Sequence, residues 1–189
     1  MIDQTIDPKL KRAQSLVGTS SGRPTDDWYP SPPMATESLL RVEQFEGSVL
    51  EPACGDGAIC RVLEAHGYET VATDLVYRGW GEGNHDFLTS SLRSDNIITN
   101  PPYNLCDQFI ELSVARTTKK VCLLTKLQIL EGTKRKVLFE RLPLARVWVF
   151  SKRLTMTRHG QPMKNSGMIA FCWIVFEHGY QGRPMLGWL

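Results

Sequence analysis

The tetrapeptide Asn100-Pro101-Pro102-Tyr103 contains groups suited to holding a planar amino group. Two consecutive prolines stop a strand and form a rigid, extended turn in which neither nitrogen donates a hydrogen bond. The side-chain carbonyl of Asn100 and the backbone carbonyl of Pro101 then face outward as acceptors, and Tyr103 adds a flat aromatic face. The segment therefore predicts a site that accepts two N–H donors from a conjugated amine and stacks on its ring. A turn that only ends a strand is the alternative.

A loop with two glycines, Gly55 and Gly57, lies between an apolar run and a helical pattern. Small residues in such a turn let a ligand approach the backbone closely, and ligands of open α/β sheets bind at the carboxyl ends of the strands. The glycine spacing and the lack of a lysine match neither a dinucleotide-binding fingerprint nor a P-loop. The loop therefore fits a nucleotide-like ligand without a phosphate cradle, and an ordinary strand-to-helix turn explains it as well.

Asp74 follows the next apolar run, 17 residues after Gly57. A carboxylate at the end of a second strand can accept hydrogen bonds from both hydroxyl groups of a ribose. We therefore expect Asp74 to bind the sugar of the ligand, with a solvent-exposed aspartate as the alternative.

Short apolar runs alternate with helical patterns from Ser48 onward. This alternation predicts an α/β sandwich with a mostly parallel sheet. The last apolar run has no helix before it and follows the preceding strand through the polar segment 151–167, which predicts an antiparallel hairpin at the end of the sheet. The predicted strands are 49–53, 70–73, 96–99, 121–125, 146–150 and 168–176, and the predicted helices are 58–66, 105–115 and 131–141.

The chain has 189 residues, the size of one domain. Residues 1–25 are polar and end in a stretch rich in Gly, Ser and Thr, so we expect a mobile N-terminal arm followed by one domain over 26–189. The sequence has no apolar run long enough for a membrane span and no signal-peptide pattern, which predicts a cytoplasmic protein. Its five cysteines lack the spacing of zinc ligands or of a disulfide framework, so buried thiols and no metal site are expected.

The net charge of +2 conceals an uneven distribution. Residues 1–100 carry 8 basic and 15 acidic side chains, whereas residues 101–189 carry 14 and 5. A basic half is expected where part of the surface faces a polyanion, although a solvated face gives the same pattern.

Five segments in order resemble motifs of the S-adenosylmethionine-dependent amino-methyltransferases, in particular the DNA adenine-N6 methyltransferases of small phage or prophage type. The resemblance covers about residues 28–179. Glu51 to Gly57 resembles the first motif of the family, Asp74 its ribose-binding acid, Asp86-Phe87-Leu88 its adenine-binding segment, Asn100 to Tyr103 its catalytic motif, and Trp28 to Pro33 its Tyr-Pro-Thr-Pro segment with Ser31 in place of threonine.

The resemblance implies a Rossmann-like methyltransferase sandwich, with a seven-stranded, mostly parallel sheet and a C-terminal antiparallel hairpin. It also implies S-adenosyl-L-methionine as the cofactor and direct in-line methyl transfer to the exocyclic N6 amine of adenine in DNA, without a metal. The residues implied in catalysis are Asn100, Pro101, Pro102 and Tyr103, and those implied around the cofactor are Tyr29, Pro30, Ser31, Glu51, Pro52, Ala53, Cys54, Gly55, Asp56, Gly57, Asp74, Leu75, Asp86, Phe87 and Asn100.

The DNA contacts are expected in the basic second half, where residues 116–164 carry 13 Lys and Arg against two Glu. The 42 residues between Gly57 and Asn100 and the 13 after Phe176 are too few for a separate target-recognition domain, so a short or relaxed recognition site is expected. Adenine in RNA, another nucleic-acid amino group, a glutamine amide of a protein, and a non-catalytic binding module on the same fold are the alternatives. The expected phosphate contacts are Lys126, Lys134, Arg135, Lys136, Arg153, Arg158 and Lys164.

Overall fold

A seven-stranded mixed β-sheet with helices on both faces forms the fold. The computed structural model describes residues 28–155, 157–158, 161–162 and 169–189. The strands are β1 (Val49–Glu51), β2 (Thr70–Ala72), β3 (Ser94–Thr99), β4 (Thr117–Lys126), β5 (Leu144–Val149), β6 (Thr157–Arg158), β7 (Gln161–Pro162), β8 (Phe171–Glu177) and β9 (Met185–Trp188). The α-helices are α1 (Pro33–Leu40), α2 (Ala58–Ala65), α3 (Cys106–Arg116) and α4 (Thr133–Arg141), and two 3₁₀ turns span Tyr103–Leu105 and Leu127–Leu130.

The strand order in the sheet is β2-β1-β3-β4-β8-β5-β9, and β6 and β7 form a separate ribbon. Strands β1 to β4 are parallel to one another, whereas β8 is antiparallel to both of its neighbours, β4 and β5. Because β5 is therefore parallel to β4, the last residues of β1, β3, β4 and β5 lie at one edge of the sheet, called here the carboxyl edge.

This topology confirms the predicted α/β class, the seven-stranded and mostly parallel sheet, and the C-terminal antiparallel hairpin, which β5 and β8 form. Strand β9 is parallel to β5 at the end of the sheet and was not predicted. The predicted arm over residues 1–25 lies outside the described residues, as does Lys164.

The core has two layers because the strands bury side chains on both faces, as parallel sheets covered by helices do. Neighbouring residues such as Leu50 and Val49, or Ile97 and Ile98, alternate between the layers. Helices α3 and α4 cover one face, and α1 and α2 cover the other. In the part of the chain that the structure describes, no helix is long and apolar enough to cross a membrane.

Candidate functional site

The carboxyl edge brings together residues that are far apart in the sequence. Glu51 is the last residue of β1, and Asn100 directly follows β3. Asp74 lies two residues beyond β2, which pairs with β1 in parallel register. The loops after three neighbouring strands therefore meet at the place where open α/β sheets bind ligands.

A cavity of about 240 Å³ opens between these loops. The predicted site residues that line it are Tyr29, Pro52, Ala53, Asp74, Leu75, Asp86, Phe87, Asn100 and Pro102. The cavity is also lined by residues that were not predicted to belong to the site: Trp28, Val76, Arg78, His85, Leu88, Asn104, Leu105 and Phe109. Three of these had a local signal, since Trp28 and Leu88 belong to segments that carry the resemblance and Asn104 directly follows the Asn-Pro-Pro-Tyr segment.

Asp74 is buried, with 7% of its surface exposed, and is not the solvent-exposed aspartate of the alternative interpretation. Its Oδ2 accepts a hydrogen bond from the backbone N–H of Gly55 at 2.8 Å. Its Oδ1 accepts from the backbone N–H of Val76 at 2.8 Å and from Arg78 Nη1 at 2.9 Å. A carboxylate offers about four acceptor positions, so Asp74 can link the two loops and still accept from a ligand hydroxyl group.

The two glycines of the loop after β1 have backbone conformations that favour glycine, with φ of 56° at Gly55 and 82° at Gly57. Their open sides are covered by tryptophans: a Cβ at Gly55 would overlap the indole of Trp28, and one at Gly57 would overlap the ring of Trp80. The glycines therefore provide close packing with these two side chains in this structure.

Asp86 and Phe87 also line the cavity. The Oδ1 of Asp86 accepts a hydrogen bond from the backbone N–H of Leu88 at 2.9 Å, which fixes the turn. Phe87 is 4% exposed, and its ring centroid lies 4.9 Å from that of Phe109. Arg116 hydrogen-bonds the backbone carbonyl of Phe87 and stacks over its ring. These contacts hold the segment firmly against the core.

The Asn100 side chain is hydrogen-bonded at its nitrogen end, whereas its oxygen end lacks a partner among the described residues. Its Nδ2 donates to the backbone carbonyl of Tyr29 at 3.0 Å and to the Oγ of Ser31 at 3.1 Å. Its Oδ1 is buried, and no described residue forms a hydrogen bond with it. A buried acceptor without a partner costs about 1–3 kcal/mol, so this oxygen is a strong candidate for binding a ligand donor.

Glu51 is the second buried group without a partner. It is 1% exposed, and neither carboxyl oxygen makes a hydrogen bond of ordinary geometry with a described residue. Burial raises the pKa of Glu51 to about 8, although Thr99 and the backbone amide of Ala53 lower this pKa in part through contacts that fall outside ordinary hydrogen-bond geometry. The protonated form of Glu51 therefore predominates at pH 7.

A small gap of about 20 Å³ lies beside Glu51, and this volume is enough for one water molecule. The gap shares Trp28, Tyr29, Ala53 and Asn100 with the larger cavity, so the two spaces are neighbours. The predicted residues that line only the gap are Pro30, Ser31, Glu51, Cys54 and Asp56.

The ring of Tyr103 already has aromatic neighbours. It stacks on Tyr29 with a centroid distance of 5.8 Å and an interplanar angle of 20°, and it contacts Phe171 at 6.4 Å. The Nζ of Lys126 lies 4.3 Å from the Tyr103 centroid. A base that stacks on the face covered by Tyr29 therefore requires that ring to move.

Most of the predicted phosphate contacts in the described residues lie at or near the carboxyl edge. Lys126 ends β4 and the exposed Arg153 follows β5, while Lys134, Arg135 and Lys136 form the start of α4, which returns from this edge. Arg135 pairs with Asp107 at 2.9 Å and Lys136 with Glu140 at 3.6 Å, both on the surface. For Arg158 the structure describes the backbone in β6 and not the side chain.

Other basic residues of the second half have internal roles at the opposite edge of the sheet. Lys120 and Arg146 both hydrogen-bond the buried Glu43, which also accepts from Trp148 Nε1 at 2.9 Å. Burial alone raises the pKa of Glu43, but the hydrogen bonds from Arg146 and Lys120 outweigh it and hold that pKa below its ordinary value. These cations stabilise the fold and are not free for a nucleic acid.

The described residues contain no group of three or more His, Cys, Asp or Glu side chains placed to hold a metal ion. All five cysteines are buried and unpaired. Burial, with a contribution from the nearby carboxylates Glu51 and Asp74, raises the pKa of Cys54 to about 12. The one thiol in the candidate site is therefore not activated as a nucleophile.

Comparison with solved structures shows that several proteins assigned as methyltransferases have the same fold as this chain. No family model matches the sequence, and no curated protein matches it significantly. A protein from Pyrococcus horikoshii assigned as an RNA methyltransferase superposes with a TM-score of 0.63 at 13% identity, over 92% of this chain and 98% of that one. A predicted O-methyltransferase from Agrobacterium tumefaciens gives a TM-score of 0.55 at 14% identity, over 83% and 84%.

A protein from Vibrio vulnificus assigned as the modification subunit of a type I restriction enzyme has a TM-score of 0.60 and 14% identity. The match covers 93% of this chain but 48% of that chain, so this protein spans about half the length of that neighbour. At such identities the similarity establishes the fold, and the choice of substrate depends on the site.

Proposed function

We propose that this protein transfers a methyl group from S-adenosyl-L-methionine to the exocyclic N6 amine of adenine in DNA. The observation that carries this proposal is the Asn100 amide, whose buried Oδ1 has no hydrogen-bond partner among the described residues while its nitrogen is fixed by Tyr29 and Ser31. An acceptor held in this way suits a substrate that brings N–H donors, and an exocyclic amine is such a group.

The residues around the cavity have the chemistry that S-adenosylmethionine requires. Asp74 retains an acceptor position for a ribose hydroxyl group, and Asp86 and Phe87 border the part of the cavity that the resemblance links to the adenine. The buried Glu51 carboxyl lacks a partner, and the ammonium group of the methionine part would supply one. When bound, this cofactor supplies an electrophilic methyl group on a sulfonium centre.

The small gap beside Glu51 limits how the cofactor can enter. At about 20 Å³ it admits a water molecule but not an amino-acid chain. The segment Trp28 to Ser31 forms one wall of the gap, and it is the segment whose resemblance implies closure over the methionine end. We expect Trp28 and Tyr29 to move outward for cofactor entry and to return afterwards, while Ser31 stays with α1.

Asn100 and Pro101 would act on the amine itself. An exocyclic adenine amine is a weak nucleophile because its lone pair is conjugated with the ring. Two acceptors that orient both of its hydrogens favour a more pyramidal nitrogen, and their stabilisation increases as positive charge develops in the transition state. Cys54, with its raised pKa, takes no covalent part, in agreement with direct displacement.

The charge at the carboxyl edge supports a nucleic-acid substrate. Lys126, Lys134 and Arg153 lie at or near the edge that contains Asn100, where they can contact a phosphate backbone while a base enters the site. A base in a duplex must leave the stack to reach Asn100, and Tyr103 would then offer a stacking face once Tyr29 has moved.

Incubation of the purified protein with labelled S-adenosylmethionine tests the proposal directly. Duplex DNA, single-stranded DNA, RNA and protein are offered separately, and the methylated products are identified by mass spectrometry. N6-methyladenine in DNA is the expected product. Methylation of RNA alone would contradict the proposal and favour the alternative of an RNA substrate, the kind of substrate assigned to the Pyrococcus horikoshii neighbour. The absence of a methylated product from every nucleic acid would refute the proposal.

A further inference from the structure

The orientation of the Asn100 amide depends on residues outside the Asn-Pro-Pro-Tyr segment. The backbone carbonyl of Tyr29, 3.0 Å from Asn100 Nδ2, can only accept a hydrogen bond. The nitrogen end of the amide must therefore face Tyr29, and the oxygen end faces away. Rotation of the amide by half a turn would bring two acceptor oxygens together, so the Tyr29 carbonyl determines which end of Asn100 is offered to a substrate.

Ser31 provides the second contact, with its Oγ 3.1 Å from the same nitrogen. One hydrogen bond leaves an amide free to tilt about it, whereas two acceptors on different residues define the plane of the group. Ser31 is 7% exposed, so its hydroxyl group is buried beside the Asn100 amide. The direction in which Asn100 Oδ1 points therefore depends on the Ser31 hydroxyl.

Ser31 is itself attached to a rigid part of the fold. It lies two residues before α1, where the backbone N–H of Ala35 donates to the Pro32 carbonyl at 2.9 Å. The carbonyl of Ala35 in turn accepts from Nε1 of Trp173, a fully buried residue of β8, at 3.0 Å. A continuous set of contacts thus connects the centre of the sheet to the Asn100 amide.

We propose that Ser31 is a positioning residue that fixes the plane of the Asn100 amide for methyl transfer, an inference that rests on the proposed function. Its hydroxyl group acts through Asn100 rather than on the substrate or the cofactor. Catalytic groups need to be held within a fraction of an ångström and 10–20° of the productive geometry, and supporting hydrogen bonds usually provide this. A contact with the cofactor alone, the role implied for Ser31 by the resemblance, predicts different kinetics.

Three variants distinguish these roles. Ser31→Ala removes the acceptor, Ser31→Thr keeps it, and Ser38→Ala removes a buried hydroxyl group from α1 at a distance from the site. With saturating DNA and cofactor, Ser31→Ala should lower kcat about tenfold, the effect of one hydrogen bond. Its KM for DNA and its Kd for S-adenosylhomocysteine should stay within about twofold of the wild type, since its effect is on the transition state. Ser31→Thr restores the acceptor and should recover most of the kcat lost in Ser31→Ala, and Ser38→Ala should retain the wild-type kcat.

The same hydrogen bond can be observed without turnover. In the ¹⁵N–¹H NMR spectrum, the side-chain NH₂ signals of Asn100 are assigned by their loss in Asn100→Ala. Ser31→Ala should shift these signals and speed their exchange with solvent, whereas Ser31→Thr and Ser38→Ala should leave them in place. Melting curves of all variants establish that each one is folded.

A wild-type kcat in Ser31→Ala would overturn the proposal, whether or not the variant also loses cofactor affinity. A Ser31→Thr variant as impaired as Ser31→Ala would also overturn it, because the hydroxyl group would then not be the cause. If the wild type methylates no nucleic acid, the proposed function fails, and unshifted Asn100 signals in Ser31→Ala would show separately that the anchoring contact does not form.

Discussion

The Glu51→Gln variant should gain stability relative to the wild type as the pH rises from about 4.5 to about 8. Burial raises the pKa of Glu51 from 4.5 to about 8 in the folded protein, whereas the unfolded chain keeps the ordinary value. Between these values the folded protein retains the proton and the unfolded chain releases it, so the free energy of unfolding of the wild type falls as the pH rises. At about 1.4 kcal/mol per pKa unit, the total loss is on the order of a few kcal/mol.

Cofactor binding gives a second test of the protonation state of Glu51. If the ammonium group of S-adenosylmethionine pairs with Glu51, the carboxyl must ionise, and at pH 7 about nine in ten free molecules still carry the proton. Calorimetric titrations in two buffers of different ionisation enthalpy should therefore detect close to one more proton released by the wild type than by Glu51→Gln. The variant serves as the control because any proton released by the cofactor itself is common to both.

Equal proton release by the two proteins at pH 7 would show that Glu51 does not ionise on binding, and its assignment to the ammonium group would be wrong. Urea unfolding at several pH values tests independently whether Glu51 retains its proton in the folded protein. A stability difference that stays constant between about pH 4.5 and pH 8 would mean that the buried carboxyl does not retain its proton.

Three further substitutions test the catalytic motif, the basic edge and the glycine loop. Asn100→Ala should abolish methyl transfer and leave the cofactor Kd within about tenfold, or ~1.4 kcal/mol, in calorimetry. Lys134→Glu should weaken binding to all DNA sequences alike and reduce its salt dependence in fluorescence anisotropy, because an exposed lysine contacts phosphates rather than base edges. Gly57→Ala should lower the free energy of unfolding by about 2–4 kcal/mol in urea, since its φ is 82° and the new Cβ overlaps Trp80.

For each of these three predictions, one outcome would contradict the expected role of the residue. Gly67→Ala is the matched control for the glycine, because its φ of 85° carries the same strain and a Cβ there meets nothing within 4 Å. It should cost only about 1–2 kcal/mol, and an equal loss at both glycines would exclude overlap with Trp80. Lys119→Glu makes the same charge change at the opposite edge, so an equal loss of DNA affinity would remove Lys134 from the interface. Undiminished turnover in a folded Asn100→Ala would remove that residue from the mechanism.

The class of fold could be predicted from the amino-acid sequence alone, and so could many of the positions that line the cavity. Apolar runs alternating with helical patterns are a local signal, because a strand buried on both faces and an amphipathic helix each require a characteristic spacing of side chains. The Asn-Pro-Pro-Tyr segment was recognisable for a similar reason, since two prolines remove donors and fix the backbone whatever surrounds them. Strand β9 was not predicted because its side chains Met185, Leu186 and Trp188 are exposed, so the segment lacks the pattern of a buried strand.

The contacts among these positions depend on how distant segments of the chain pack together. The burial that keeps Glu51 protonated comes from neighbours distant in sequence, and the covering of Gly55 by Trp28 could not be read from either residue alone. The same holds for the basic second half, whose Lys120 and Arg146 bind the buried Glu43 while Lys134 stays exposed. The most consequential case is Asn100: its residue type indicates an acceptor, but which end of the amide is available depends on a carbonyl 71 residues earlier in the chain. Side-chain type is a property of the sequence, whereas burial and hydrogen-bond direction exist only after distant segments have packed together.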